Sequence, residues 1–341
     1  MHPLDAKLLR DLARMRAQVL AIALVVASGV ALLVMSLSAL SSLRATAEAY
    51  YDRYRFAEVF AGVRRAPERL AGRIAEIPGV RTVETRVGAF ATVEMPGLAE
   101  PVTAQLLSLP EGRPARVNRL ALVEGRRHEP GRDDEAVLHA PFAEANGLGP
   151  GDSVTVLLRG VKRELRIVGL ALSPEFIYAI APGGLMPDDR RFGVIWMGRD
   201  ALAAAYDLEG AFNDLSLGLL RGADPRIVIE RLEPLIAPHG GQGAVARDDQ
   251  LSHFFLESEF DQLRTMATIL PGIFLSVAVF LTNTVLARLI ATERREISLL
   301  KAFGYANRQV ALHYVKLALA IATVGILLGW ALGAALGRWN T

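Results

Sequence analysis

No cysteine occurs among the 341 residues, so the chain has no disulfide framework, no zinc–thiolate site and no thiol nucleophile. Charge is missing from three long stretches: Ala17 to Leu43, Thr265 to Ala287 and Leu317 to Gly337 contain no Asp, Glu, Lys or Arg. As helices they would reach roughly 40, 34 and 31 Å, enough to cross a hydrocarbon core of about 30 Å. The chain also lacks a glycine-rich loop ending in Gly-Lys-Ser/Thr, which excludes ATP binding of that kind. With 52% apolar and 22% charged residues, it is neither disordered nor collagen-like.

Few combinations of side chains point to catalysis. The six histidines (His2, His128, His139, His239, His253 and His313) never stand three or four apart, so no two would share a helix face as metal ligands, and they read as solvated surface residues. No metal site and no cofactor are expected. Gly240-Gly241-Gln242-Gly243 follows a helix pattern instead of opening one, and reads as a helix end and turn. Ser298 and Lys301 match Ser-x-x-Lys by coincidence, without the companion motifs of that chemistry. The acidic groups Asp133-Asp134-Glu135 and Asp188-Asp189 read as solvated turns. An enzyme is therefore not expected.

What is present is an uneven charge distribution. Residues 1–16 hold four basic and two acidic residues, and residues 288–316 hold six and two, whereas 44–264 is net acidic. Basic residues accumulate on the cytoplasmic side of spans, so both basic segments are expected inside and 44–264 outside. The uncharged run from Ala17 is too long for a secretory signal core of about 7–15 residues, which makes it an uncleaved anchor. Leu4, Leu8, Leu12 and Met15 are spaced as one face of an amphipathic helix ahead of that anchor. The expected organisation is an amphipathic helix at 1–16, spans at 17–43, 265–287 and 317–337, an external domain at 44–264, an internal segment at 288–316 and a tail at 338–341.

Within the external segment, strand Phe56–Val63, helix Pro67–Ile77 and strand Val80–Met95 are matched later by strand Phe212–Leu220, helix Pro225–Ile236 and strand Ala244–Arg247. A β-rich insertion is expected between them, at about 118–211. It includes a hairpin of Ser153–Leu158 and Glu164–Leu170 turning at Gly160, an ordered loop from Ser173 to Arg191 and a short helix over Asp200–Tyr206. The fold class is thus an α+β membrane protein. It has three transmembrane helices and a large extracytoplasmic domain of two strand–helix–strand halves plus the insertion.

Two features lie in the membrane-proximal part. Gly325, Gly329, Gly333 and Gly337 recur every fourth residue, a smooth stripe along which another helix can pack closely. Between the second and third spans stands Glu293-Arg294-Arg295-Glu296-Ile297-Ser298-Leu299-Leu300-Lys301-Ala302-Phe303-Gly304. Thr292 is expected to cap a helix there. Ile297, Leu300 and Phe303 would share one face, Glu296 and Lys301 would remain available to a partner, and Gly304 would end it. A short amphipathic helix of this kind suits a partner's groove.

That motif, directly after one span and before another, resembles the coupling region of the FtsX-like permeases of ABC transporters. Glu124-Gly125-Arg126, Glu135-Ala136-Val137-Leu138, Gly147-Leu148 with Gly151-Asp152, and Val168-Gly169 resemble the MacB-type periplasmic core. Ser173 to Tyr178 and Pro187 to Phe192 are similar to larger permeases of this group. The resemblance implies a mechanotransmission permease of the bacterial inner membrane, with a separate cytoplasmic ABC ATPase docking on Glu293–Gly304. It implies export or extraction of a lipid, lipoprotein, peptide or antibiotic, and partners that include membrane lipid, a second permease copy and a periplasmic adaptor, with no nucleic acid. Members carry a fourth membrane helix, whereas this chain stops at Thr341. A truncated product or a split permease needing a C-terminal half is therefore expected. The alternative reading is a membrane-anchored extracytoplasmic binding or sensor module without an ATPase.

Overall fold

A computed structural model describes residues 3–95 and 102–339. The chain divides into two compact units, residues 47–258 and a helical unit formed by residues up to 46 with those from 259 onward. Met1 and His2 of the expected amphipathic helix, and Asn340 and Thr341 of the expected tail, lie outside the described residues.

The first unit contains two sheets. One is four-stranded and antiparallel, in the order β11 (Ala244–Ala246), β1 (Val59–Pro67), β10 (Ala211–Leu219), β2 (Val80–Arg86). Alternating residues of β1 and β10, including Val59, Ala61, Leu215 and Leu217, are buried against one apolar layer. That layer is Leu70 and Ile74 of α3 (Leu70–Ala75) together with Val228, Leu232 and Ile236 of α6 (Pro225–Ile236). Helix α6 starts where Asp224 accepts the Arg226 N–H at 2.9 Å and Pro225 takes the first position, where its missing N–H costs nothing. The two strand–helix–strand halves read from the sequence meet in this one sheet, except that the strand expected over Val80–Met95 leaves it after Arg86.

Seven strands make the second sheet, in the order β5 (Ala121–Gly125), β8 (Val161–Leu172), β6 (Glu135–His139), β9 (Phe192–Gly198), β4 (Val102–Leu109), β3 (Gly88–Glu94), β7 (Ser153–Leu158). Strand β7 also pairs with β8, closing six of the strands into a barrel with β5 on its outside. The barrel is filled by Leu106, Val156, Leu165, Ile167, Ile195 and Met197, all buried. Gly193 of β9 is needed for fit: a Cβ there would stand 2.5 Å from the ring of fully buried Phe142, in α4 (Ala140–Ala145). The hairpin β7–β8 turns at Arg159-Gly160, both at positive φ, as its alternation predicts. The second sheet begins at Gly88, so the expected insertion boundary near Asn118 is corrected. Strands β3 and β4 alternate like the first sheet's strands and carry no local mark of the sheet they join. Helix α5 (Arg199–Tyr206) follows β9.

The other face of the four-stranded sheet is buried and polar. Arg86 donates to Glu175 through both terminal nitrogens at 2.6 and 2.7 Å and to Asp214 through Nε at 2.6 Å, and Asn118 donates to the same Glu175 at 2.9 Å. Burial alone would lower the Arg86 pKa, but the two carboxylates overcome it and raise it. The Ser173–Arg191 segment is thus an ordered loop, as expected, pinned at Glu175. Glu135 is not the solvated turn residue expected: it is buried, and the hydrogen bonds from Arg126 at 2.6 and 2.8 Å hold its pKa down at about 2.

The helical unit contains α1 (Pro3–Arg14), α2 (Arg16–Tyr54), α7 (Leu251–Thr292), α8 (Arg294–Ala302) and α9 (Asn307–Trp339), with α2 and α7 extending past its boundaries. Three of these, α2, α7 and α9, are long and apolar enough to cross a membrane. Large apolar side chains such as Leu24, Val279, Phe280, Leu327 and Trp330 lie exposed along them, which is stable where the surrounding solvent is hydrocarbon. The regular helices run further than the uncharged stretches, so the connection between the last two spans shortens from the expected 288–316 to 293–306.

Candidate functional site

Helix α8 is the short charged helix expected from the sequence, but its setting differs in three ways. Thr292 does not cap it: its hydroxyl turns back to the Arg288 and Leu289 carbonyls, and Glu293 takes the cap position without a side-chain cap bond. The carboxylates are also not free. Glu293, 7% exposed, accepts from Lys7 Nζ at 3.0 Å and from the Tyr314 hydroxyl at 3.0 Å, and Glu296 accepts from Lys7 at 2.9 Å. Lys7 reaches Asp11 too, at 3.1 Å, and Asp11 meets His313 Nε2 at 3.1 Å. One lysine serving three carboxylates therefore joins α1 to α8, and His313 and Tyr314 tie α9 to two of the same carboxylates. Burial lowers the Lys7 pKa, but hydrogen bonds to Glu296, Glu293 and Asp11 raise it further, so it stays charged.

The third difference is rotational. Ile297 and Leu300 are half-buried, while Leu299 is 58% and Phe303 80% exposed. Because Glu296 turns toward Lys7, the outward face carries Arg295, Leu299 and Phe303 at a spacing of four. Arg294 and Lys301 are exposed as well. Leu299 was not singled out from the sequence, where a run of Leu299-Leu300 leaves the helix phase open. At Gly304, φ is +87° and the Tyr305 N–H bonds the Leu300 carbonyl at 3.1 Å, ending the helix as expected.

The glycine stripe of α9 lies along α2. A Cβ on Gly325 would stand 2.7 Å from Val26 Cβ, on Gly329 2.5 Å from the Ala27 oxygen, on Gly333 2.7 Å from the Ala31 oxygen and on Gly337 3.3 Å from Ser38 Oγ. At Gly325, Gly329 and Gly333 the α2 backbone comes too close for a Cβ to fit without a shift, whereas Gly337 faces the Ser38 side chain.

The remaining candidate motifs are structural. Gly240 adopts φ +72° after the short helical turn Ala237–His239, and the Ser298 hydroxyl bonds the Arg294 carbonyl and not Lys301. Among the described residues no three His, Asp or Glu gather as a metal site. The expectation of solvated histidines fails for His139, His253 and His313, which are buried, and for His128, whose side chain is 6% exposed. Packing beneath Trp196 and loss of water explain His139, whose pKa burial drives down to about 4.

Helix α8 stands between two helices long and apolar enough to cross a membrane. Residues 268–340 match the FtsX-like permease C-terminal family. The matching segment thus takes in most of α7 and all of α8 and α9, and it contains the motif on which the resemblance was stated. No curated protein matches the chain. Solved structures similar to part of it include three domains of transport proteins. The extracellular domain of the noncanonic ABC-type transporter YknZ from Gram-positive bacteria is 12% identical, with 55% of this chain and 98% of that one covered and a TM-score of 0.36. The periplasmic region of MacB from Actinobacillus actinomycetemcomitans is 9% identical, with coverages of 60% and 92% and a TM-score of 0.36. A domain of a putative permease from Porphyromonas gingivalis is 13% identical, with coverages of 59% and 96% and a TM-score of 0.34. Scores this low establish no shared role.

Proposed function

We propose that the chain is the permease subunit of an ABC transporter of the FtsX/MacB type, and that a separate cytoplasmic ATPase docks on α8. The observation that carries this reading is the exposed row Arg295, Leu299 and Phe303 on a short helix inside the segment that matches FtsX-like permeases. An apolar pair flanked by cations on a helix offers what a groove on a partner recognises. In this reading 47–258 is the extracytoplasmic domain and the N-terminus is cytoplasmic, in the inner membrane of a bacterium. ATP-driven closure of the partner would displace α8, and the displacement would pass to the extracytoplasmic domain through the spanning helices. The work done there would be export or extraction of a lipid, lipoprotein, peptide or antibiotic.

Affinity purification of the full chain from its native membrane, with ATP turnover measured on the eluate, tests the reading. A P-loop ATPase should be retained by the wild-type chain and lost from Leu299→Asp and Phe303→Asp, both exposed changes that leave the Lys7 network intact. A chain that carries no ATPase, or an ATPase complex indifferent to both substitutions, would refute it.

A further inference from the structure

The end of α1, the start of α2 and the last turns of α7 enclose an open cavity of about 620 Å³. Three arginines line it, Arg14, Arg16 and Arg288. Among the described residues none of the three makes an ion pair or a side-chain hydrogen bond. The carboxylates on the same wall are already engaged, Asp11 by Lys7 and His313, Glu293 by Lys7 and Tyr314, and Glu296 by Lys7. The cavity is therefore electropositive although acids border it. Val285 and Leu289 add an apolar side. The uncharged stretch of α2 begins at Ala17 on the cavity wall, and that of α7 ends just short of Arg288.

We propose that this cavity binds the phosphate of an anionic phospholipid headgroup. Guanidinium groups present paired N–H donors that match phosphate oxygens, and basic pockets between membrane helices are suited to lipid headgroups. The location chooses the source of the phosphate: a ligand held here has uncharged helix surface directly beside it, along which acyl chains can lie. The inference needs the chain to cross a membrane, as the proposed function does, but it does not need an ATPase. The two can therefore fail separately.

The test uses the full chain in phosphatidylcholine vesicles with and without phosphatidylglycerol. Bound lipid is read by native mass spectrometry after transfer to mild detergent. Arg14→Gln with Arg288→Gln should weaken phosphatidylglycerol binding about thirtyfold, from the contribution of one basic residue near a membrane surface taken twice. Arg10→Gln with Arg308→Gln removes the same charge from exposed positions off the cavity wall and should leave binding within about threefold of wild type. Arg14→Lys with Arg288→Lys keeps the charge and should retain most of the binding, which separates loss of the site from loss of fold. Glycerol phosphate and inorganic phosphate should compete only weakly. Equal losses in the two glutamine pairs, or soluble phosphate binding as tightly as the lipid, would overturn the proposal.

Discussion

Gly329→Ala is the sharpest test of the helical unit, because the substitution adds one methyl group to a helix and removes nothing. The new Cβ would stand 2.5 Å from the Ala27 carbonyl oxygen, 2.8 Å from Val30 Cβ and 3.0 Å from Ala27 Cα. The oxygen and Cα belong to backbone, which cannot swing aside, so α9 must retreat from α2 by nearly 1 Å. A gap of 0.5–1 Å forfeits about a quarter to a half of each dispersion contact along the seam, and overpacking of this kind costs about 1–3 kcal/mol. The gain in helix propensity from Gly to Ala, about 1 kcal/mol, offsets part of that. A net loss of up to about 2 kcal/mol follows, or about 1–3 kcal/mol relative to a glycine whose Cβ position is open. The same geometry ranks the series: Gly329→Ala should cost most, Gly325→Ala and Gly333→Ala somewhat less at 2.7 Å, and Gly337→Ala least, since the side-chain Oγ of Ser38 is what it meets at 3.3 Å. Gly272→Ala, in α7 with nothing within 4 Å of its would-be Cβ, is the control and should be neutral or slightly stabilising. Unfolding by sodium dodecyl sulfate from mixed micelles, followed by circular dichroism, reports the order. A Gly329→Ala chain as stable as Gly272→Ala would show that α2 and α9 do not pack through this stripe.

Lys7→Met leaves Glu293 and Asp11, each with a 7% exposed side chain, without their cation. It should loosen α8 by about 2–3 kcal/mol, read as faster amide exchange over 294–302 with α2 unchanged. Arg86→Met strands Glu175 and Asp214 and should destabilise the 47–258 unit by about 3–5 kcal/mol in urea, followed by Trp196, the tryptophan within that unit. Glu135→Gln should cost about 1–2 kcal/mol at neutral pH, after allowance for the solvent that screens the half-exposed Arg126. The Glu135 pKa is held low in the folded chain, at about 2. Its contribution is therefore complete above the ordinary carboxylate range near 4.5 and fades as pH falls toward 2, so wild type and variant should converge there in urea titrations. Parallel pH profiles would refute that assignment.

Local pattern carried much of the fold into the sequence. Helix α6 is legible end to end because Asp224 and Pro225 mark its start and Val228, Leu232 and Ile236 keep one face. The β7–β8 hairpin is legible because its alternation brackets a turn at Gly160. Barrel closure was not legible. It depends on parallel pairing of β4 with β9, whose partners, such as Leu106 and Ile195, are far apart in the chain and share no local signal. The candidate coupling residues were found by a motif, but their roles were not. Lys7 lies 286 residues from Glu293, and nothing in an i, i+4 reading of α1 says which carboxylates its amine will meet. The phase of α8 follows from that contact, so Leu299 could not be separated from Leu300 before Glu296 was placed.

Lys7 also connects α8 to the cavity. With it, the wall and its immediate network balance the charges of Asp11, Glu293 and Glu296 against Lys7, Arg14, Arg16 and Arg288, leaving one positive charge in excess. Without it, three carboxylates face three guanidinium groups, and those carboxylates are released to pair with the arginines beside them. Lys7→Met should then weaken phosphatidylglycerol binding although Lys7 does not line the cavity, while Lys7→Arg should preserve both the binding and the slow exchange of α8. Two readouts that moved independently in these variants would mean that the cavity and the helix are separate devices. Movement together would mean that a lipid phosphate at Arg288 and a partner at Phe303 act on the same charge network.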